Sequence, residues 1–259
     1  GAGGSLVLWY EENDPAGAGV LRAQHLLENG DLDPSWPASG VVAHSFGNLP
    51  DEWNVVPDRL GGFYLWWLTT SDVLTLKRLD ATGQTASGWP AAGRVLGSVF
   101  GSIPCVIEDG AHGLYAVFSG GMQALGCHLG PDNAGAGGWP DTVQVLGSGL
   151  PILFPQVTLA PDGGIFAAWA TYCMDTVATP PAYSVHRLTS AGAAPSGWTD
   201  AGVSLGYFPF DELCNSSNSV RTSILGLSGD GRGGVFVVTG ESVDGADLDP
   251  MRARLHRLQ

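Results

Sequence analysis

The sequence contains little charge, and most of the charge that it has is negative. Only 14% of the 259 residues are charged, and 11 Lys and Arg residues stand against 25 Asp and Glu residues, for a formal net charge of −14. Lys77 is the single lysine. Because phosphate backbones and anionic lipid surfaces repel such a chain, we expect no nucleic-acid partner. No stretch approaches the ~18 apolar residues of a membrane-spanning helix, so we expect no membrane insertion.

Other features are also missing. The four cysteines form no Cys-x-x-Cys pair, which gives zinc-ribbon and thioredoxin-like functions no support. The chain lacks an initiator Met and a signal peptide, so we expect a processed or excised segment. The acidity, the even number of cysteines and the scarcity of lysine favour an extracellular or cell-surface protein.

Glycine and proline are abundant instead. The chain contains 39 Gly and 17 Pro, while 44% of its residues are hydrophobic. That apolar content is enough for a buried core and too high for a disordered segment. Long helices tolerate neither glycine nor proline well, so this composition predicts an all-β protein with many short strands joined by turns.

An internal repeat is the main feature of the sequence. Five copies occur, 50 to 70 residues apart. Each contains a run of alternating polar and apolar residues that ends in a leucine, at Leu26, Leu79, Leu129, Leu188 and Leu258. A tryptophan follows ten residues after each of the first four, at Trp36, Trp89, Trp139 and Trp198. Glycine pairs recur before apolar runs such as 165–169.

Each copy contains about four strand-length segments separated by turn residues, which is typical of a β-propeller blade. We therefore predict a single β-propeller domain over residues 1–259, with five repeat units of about four antiparallel strands. The recurring tryptophans are expected to pack between adjacent blades. The first unit begins at its second strand and the last ends after its third, so each terminal blade lacks a strand. Either a five-bladed ring closes with incomplete terminal blades, or a longer parent chain continues.

The repeat resembles the tandem propeller repeats of secreted bacterial proteins. The shared motifs are Asp-Gly-x-Gly-Gly before one strand and Arg-Leu-x-x-x-Gly before Gly-Trp-Pro, and they cover essentially the whole chain. The segment 79–83 also looks like the turn of quinoprotein blades, but the copies at 26–30 and 188–192 depart from it. We therefore do not expect this chain to bind a quinone cofactor. The resemblance implies a β-propeller fold and an extracytoplasmic location. It implies no particular function, because β-propellers have many different functions.

Departures from the repeat are the candidate functional sites, because a residue that recurs in every unit serves the blade. The departures are the segments 11–15 and 49–53 and two insertions of the fourth unit, 172–181 and 207–218. These loops are expected to share one acidic, aromatic rim that binds a glycan or a protein. The candidate ligand-binding residues are Glu11, Asp14, Trp53, Phe208, Phe210 and Asp211.

Two functions compete for that rim. The first is a non-catalytic binding, adhesion or assembly scaffold, with a lectin-like activity as the specific version and self-assembly through incomplete terminal blades as a further alternative. The second is a five-bladed glycoside hydrolase, which needs a pair of carboxylates. Its candidate catalytic residues are Asp51, Glu52, Asp211 and Glu212. The same Asp-Glu pairs are also explained as solvated loop charges.

The cysteines and histidines complete the sequence predictions. Cys173 and Cys214 both lie in insertions of the fourth unit, so we predict a disulfide between them. Cys105 and Cys127 fall on strands that are not neighbours and are expected to be buried thiols. The histidines occupy repeat positions, and the Asp-Gly turns carry no calcium-loop pattern, so we expect no metal and no other cofactor.

Overall fold

The computed structural model describes residues 3–12, 18–48, 50, 52–148, 152–171, 182–207, 220–243 and 252–259. The regular structure in these segments consists of 18 β-strands in five antiparallel sheets, which confirms the predicted all-β class. The described residues contain no helix that is long and apolar enough to cross a membrane.

Each sheet is formed by strands that are consecutive in the chain. The first sheet contains β1 (Ser5–Glu12), β2 (Gly19–Leu26) and β3 (Val41–Phe46). The second contains β4 (Glu52–Pro57), β5 (Phe63–Leu68), β6 (Val73–Leu79) and β7 (Arg94–Ser98). The third contains β8 (Cys105–Glu108), β9 (Leu114–Ser119), β10 (Gln123–Leu129) and β11 (Gln144–Ser148). The fourth contains β12 (Ile152–Leu159), β13 (Ile165–Thr171), β14 (Ala182–Leu188) and β15 (Val203–Tyr207). The fifth contains β16 (Val220–Gly229), β17 (Val235–Val243) and β18 (Arg252–Leu258).

The five predicted repeat units are therefore five sheets. The described strands number four in each of the three central sheets and three in the first and last, as the repeat predicts. The arrangement of these sheets as a propeller stays a prediction.

The contacts divide the chain into two compact units. Unit 1 consists of Gly1–Ser98, Ala111–Gly113 and Gly130–Ala134. Unit 2 consists of Val99–Gly110, Leu114–Leu129 and Gly135–Gln259.

In each four-stranded sheet, the second strand of the repeat (β5, β9 or β13) follows a turn with a repeat glycine and lies inside the sheet. Every residue of β5, β9 and β13 is buried, which explains why these segments are continuous apolar runs without alternation. In unit 1, Phe63, Leu65 and Trp67 of β5 pack with Leu21 of β2 and Phe46 of β3. Each unit thus has its own hydrophobic core around such strands.

A contact with an aspartate recurs beside the leucine of the repeat. In four sheets the Arg or His residue before that leucine contacts the aspartate of the turn before the second strand of the repeat, in the pairs Arg78–Asp58, His128–Asp109, Arg187–Asp162 and Arg257–Asp230. In the first sheet His25 contacts Asp33 instead, at 2.7 Å. The aspartates also accept hydrogen bonds from turn backbone groups, as Asp58 does from the N–H of Leu60 and of Gly62. The recurring histidines and aspartates therefore stabilise the turns of the sheets.

Two of the four repeat tryptophans, Trp36 and Trp89, bond to the turn after the third strand of the next repeat unit. In unit 1 the Trp36 Nε1–H donates a hydrogen bond to the backbone oxygen of Ala81, which lies in the turn after β6, at 2.9 Å. Trp89 Nε1–H donates in the same way to Pro131, which follows β10, also at 2.9 Å. Both indoles are buried, with 4% and 6% of their surface exposed.

The cysteines of the third sheet lie on strands that are not neighbours, as predicted, and Cys127 is buried whereas Cys105 is partly buried. Cys105 is on β8 and Cys127 on β10, and β9 separates the two strands, so they form no disulfide with each other. Burial raises the pKa of the Cys105 thiol. Cys173 and Cys214 lie outside the described residues, and their disulfide stays a prediction.

Candidate functional site: an aromatic pocket in unit 1

A pocket of about 260 Å³ opens in unit 1 where β3 and β5 end. Its aromatic residues are His44 and Phe46 of β3 and Trp67 of β5, and the polar residues Ser45, Asn48, Thr69 and Thr70 line it as well. Pro50, in the segment between the first two sheets, also lines it. The pocket therefore lies beside the segment 49–53, which the sequence identifies as a departure from the repeat.

His44 occupies a position that is glycine in the next two sheets. The first sheet lacks the first strand of the repeat, so its last strand, β3, corresponds to β7 and β11, the last strands of the next two sheets. Each of these three strands carries a β-bulge, and the residue after the bulge pairs with the preceding strand of the repeat. That residue is His44 opposite Leu21, Gly97 opposite Leu74, and Gly147 opposite Ala124. His44 is thus a departure from the repeat, which is the feature that identifies candidate functional residues in the sequence.

The histidine replaces a close approach between a tryptophan and the backbone. Trp67 and Trp169 both lie five residues after a glycine of the repeat. A Cβ atom at Gly147 would lie 2.6 Å from Cζ2 of Trp169, so that indole packs against bare backbone. In unit 1 the His44 imidazole packs on Trp67 instead, with ring centroids 4.3 Å apart and an interplanar angle of 31°.

The three rings form one aromatic cluster. Phe46 meets Trp67 edge to face, with centroids 5.8 Å apart and an angle of 80°, and meets His44 at 4.8 Å and 68°. Such edge-to-face contacts match the ring quadrupoles. Phe46 and Trp67 are 9% and 4% exposed, so most of their surface is held by the core of unit 1. The aromatic wall of the pocket is consequently rigid.

His44 is a neutral hydrogen-bonding group at physiological pH. Burial and, to a lesser extent, the positive charge of Lys77 lower the pKa of His44 from 6.5 to about 4. Lys77 is itself buried and donates a hydrogen bond from Nζ to the backbone oxygen of Ala43 at 2.9 Å. A neutral imidazole offers one N–H donor and one acceptor nitrogen. Neither a carboxylate nor a cation is among the described residues that line the pocket.

The polar rim is held by the turn between β5 and β6. Thr69 accepts hydrogen bonds at Oγ1 from the backbone N–H of Ser71 and of Val73, at 3.3 and 3.2 Å. Thr70 and Asn48 are exposed beside the pocket. Hydroxyl and amide groups therefore surround an aromatic wall, which is an arrangement suited to a small ligand with both apolar and hydroxyl surfaces.

The residues predicted from the sequence have several locations. Trp53 is on β4, opposite Trp67 in the pairing with β5, and it packs against the core of unit 1. Glu52 is the first residue of β4 and is exposed. Glu11 is on β1, where its carboxylate accepts hydrogen bonds from Nε1 of Trp9 at 2.8 Å and from Nε of Arg22 at 2.7 Å. These bonds, led by the one from Trp9, lower the pKa of Glu11.

Six predicted residues have no described position. Asp14, Asp51, Phe208, Phe210, Asp211 and Glu212 include every other candidate carboxylate and both fourth-unit aromatics, and all of them lie outside the described residues. Glu52 and Trp53 do lie beside the pocket strands, since β4 pairs with β5. The described part of the chain contains no group of three or more His, Cys, Asp or Glu side chains that could hold a metal ion.

Sequence reasoning missed the pocket residues themselves. His44, Phe46 and Trp67 were not selected, although aligning the fourth strands of the repeats would have shown that His44 stands where Gly97 and Gly147 occur. It also missed the exposed aromatic residues of unit 2. Phe100, in the segment that leads into β8, is 56% exposed, and Phe154, on β12, is 40% exposed.

Comparison with known proteins gives only remote similarities. No protein-family model and no curated protein matches the chain. An endo-arabinase from Bacteroides thetaiotaomicron is similar with a TM-score of 0.37 and 9% identity, over 98% of this chain and 90% of that chain. An exo-beta-1,3-galactanase from Phanerochaete chrysosporium, solved with galactose, has a TM-score of 0.37 and 10% identity, over 92% and 54%. The calcium-binding protein regucalcin from Agrobacterium tumefaciens has a TM-score of 0.31 and 10% identity, over 88% and 66%. At these values the similarity carries no argument about the activity of this chain.

Proposed function

We propose that the chain is a carbohydrate-binding scaffold and that the pocket around His44 binds a neutral sugar unit. The observation that supports this proposal is the replacement of a repeat glycine by His44, which places a neutral imidazole beside Phe46 and Trp67. Sugars present an apolar C–H face, which packs on aromatic rings, and hydroxyl groups, which exchange hydrogen bonds with imidazole, hydroxyl and amide groups. The uncharged lining favours a neutral sugar over an acidic one.

The test is a glycan panel in which binding and hydrolysis are both measured on the intact chain. His44→Gly introduces the residue found in the equivalent strands and leaves the other residues that line the pocket unchanged. The exposed residue Val42, on the same strand but outside the pocket lining, provides the control variant Val42→Ala. Losing one hydrogen bond and one aromatic contact, each worth about 1 kcal/mol, should weaken binding tenfold or more in His44→Gly only.

A His44→Gly variant that is folded and binds the same glycan with unchanged affinity would refute this site. Circular dichroism and the urea midpoint of each variant show whether it is folded. Binding that is lost equally in Val42→Ala would assign the effect to stability instead of to the pocket.

Glycoside hydrolysis is the second candidate function. Hydrolysis needs two carboxyl groups at the sugar, and Asp51 and Glu52 adjoin Pro50, which lines the pocket. Release of reducing sugar that disappears in Asp51→Ala and persists in Val42→Ala would favour the enzyme over the lectin. An extracellular location and self-assembly remain predictions from the sequence.

A further inference from the structure

Unit 2 contains a pocket of its own, with a different lining. It has a volume of about 230 Å³, and its apolar residues include Trp139, Leu146 and Leu188. Gln144 and Asp200 are the polar side chains among the described residues that line it. The pocket lies beside the turn that follows β14, where Ala191 and Gly192 complete the lining.

Trp139 breaks the hydrogen-bonding rule of the repeat tryptophans. Trp36 and Trp89 each donate the indole N–H to a backbone oxygen in a turn after the third strand of a sheet. Trp139 follows the corresponding leucine at the same spacing and is only 5% exposed, yet its buried Nε1 has no hydrogen-bond partner among the described residues. A buried donor without an acceptor costs free energy, which a ligand acceptor would recover.

The unused N–H edge of the indole lies against Gly192, one of the residues that line the pocket. A Cβ atom at Gly192 would lie 3.0 Å from both Nε1 and Cε2 of Trp139, so this edge faces Gly192, which lines the pocket. At the equivalent turn glycine of unit 1, Gly83, the nearest indole atom is Cη2 of Trp36. The indole of Trp139 therefore presents its N–H edge where Trp36 presents its hydrocarbon end.

The polar groups select the class of ligand. The Trp139 N–H requires an acceptor, whereas the Asp200 carboxylate accepts hydrogen bonds only. The Gln144 side-chain NH₂ donates to backbone oxygens of Thr142 and Val143, which leaves its carbonyl oxygen as another acceptor. A hydroxyl group donates and accepts at once, so it satisfies both requirements. An anion would be repelled by Asp200, and an ammonium group offers no acceptor to the indole.

We propose that this pocket is a second binding site, specific for a small neutral polyhydroxy ligand such as one sugar unit. A cavity of about 230 Å³ is smaller than the roughly 300–1,000 Å³ of sites for drug-sized ligands, which fits a single ring. Trp139 donates to one hydroxyl oxygen, Asp200 accepts from a neighbouring hydroxyl, and Leu188 packs on the C–H face. The site belongs to unit 2 and does not depend on the His44 pocket.

The experiment follows the indole N–H resonances of the intact chain, labelled with ¹⁵N in its nine tryptophans, during titration with D-glucose and with D-galactose. Trp139→Phe keeps an aromatic ring in place and assigns the Trp139 signal by its disappearance. We expect that signal to shift and saturate with at least one sugar. The signals of Trp36 and Trp89, whose N–H groups already have acceptors, should stay in place.

Two variants separate this proposal from the function proposed for unit 1. Asp200→Ala should weaken the saturation about tenfold, as expected for one lost hydrogen bond to a charged group. His44→Gly should leave the Trp139 titration unchanged. The proposal is overturned if neither sugar moves the Trp139 signal of the folded protein, or if Asp200→Ala titrates like the unaltered chain. Neither result would bear on the proposal that the His44 pocket binds a sugar.

Discussion

Removing Asp58 should destabilise unit 1 far more than removing Asp162 destabilises unit 2, although both residues occupy the same position of the repeat. Asp58 is 0% exposed, and its carboxylate accepts hydrogen bonds from Nε and Nη2 of Arg78 at 3.0 and 2.7 Å. The side chain of Asp162 is 51% exposed where it contacts Arg187. Asp58→Ala and Asp162→Ala are therefore a matched pair of variants.

The expected magnitude follows from burial. Asp58→Ala leaves Arg78, which is 9% exposed, without its counter-charge and also removes the acceptor for the N–H groups of Leu60 and Gly62. Breaking one side of a buried ion pair costs about 3–5 kcal/mol. Half of the Asp162 side chain is exposed to water, and the buried Arg187 also donates hydrogen bonds to the backbone oxygens of Ile165 and Leu188, so losing this carboxylate should cost about 0–1 kcal/mol. The two variants should differ by at least about 2 kcal/mol on these ranges.

The assay must report on each unit separately. Hydrogen–deuterium exchange as a function of urea, read in peptides from β5 and β6 for unit 1 and from β13 and β14 for unit 2, gives the free energy of opening of each. With a denaturant slope of about 2 kcal/mol per molar urea, the loss in Asp58→Ala corresponds to a midpoint shift of about 1.5–2.5 M. Equal shifts for the two variants, or a shift in Asp58→Ala that corresponds to less than about 1 kcal/mol, would show that burial does not set the strength of the pair.

Two further changes test the packing of histidine and glycine against tryptophan. Burial is the main cause that lowers the pKa of His44 and of His186 from 6.5 to about 4, so between these values the unfolded chain binds more protons than the folded chain and stability should fall as the pH drops through this window. Urea midpoints measured at neutral pH and near pH 4 check this, and His186→Gln should flatten the dependence. Gly147→Ala should cost about 1–3 kcal/mol by overpacking, since its Cβ would lie 2.6 Å from Trp169. Gly226→Ala is its control, because nothing lies within 4 Å of a Cβ there, and equal urea midpoints in the two variants would contradict the steric account.

Much of the fold was predictable because its signals are local. The glycine pairs before β5 and β13 and the apolar runs that follow them predict turns and buried strands from a few neighbouring residues. Counting these segments gave five units with incomplete terminal ones, and the described strands agree. The spacing of Trp36 and Trp89 also identified their place between sheets.

The candidate site was less accessible to the same reasoning. The sequence predicted function in long insertions, and it drew attention to the segment 49–53, whose Pro50 lines the pocket. It did not select His44, because a single substitution within a strand is a weaker signal than an inserted loop. Nor did it select Trp67, which looked like another tryptophan serving the blade.

By itself, the sequence determined the class of fold, the number of repeat units and the residues that recur to support them, because strand and turn preferences depend on nearby residues. Only the tertiary structure decided which side chains meet. Whether Arg78 finds Asp58, whether the Trp139 N–H has an acceptor, and whether His44 packs on Trp67 all depend on the register of strands and the packing of sheets. Those contacts join residues that are distant in the chain, and their geometry is set by the whole core of each unit.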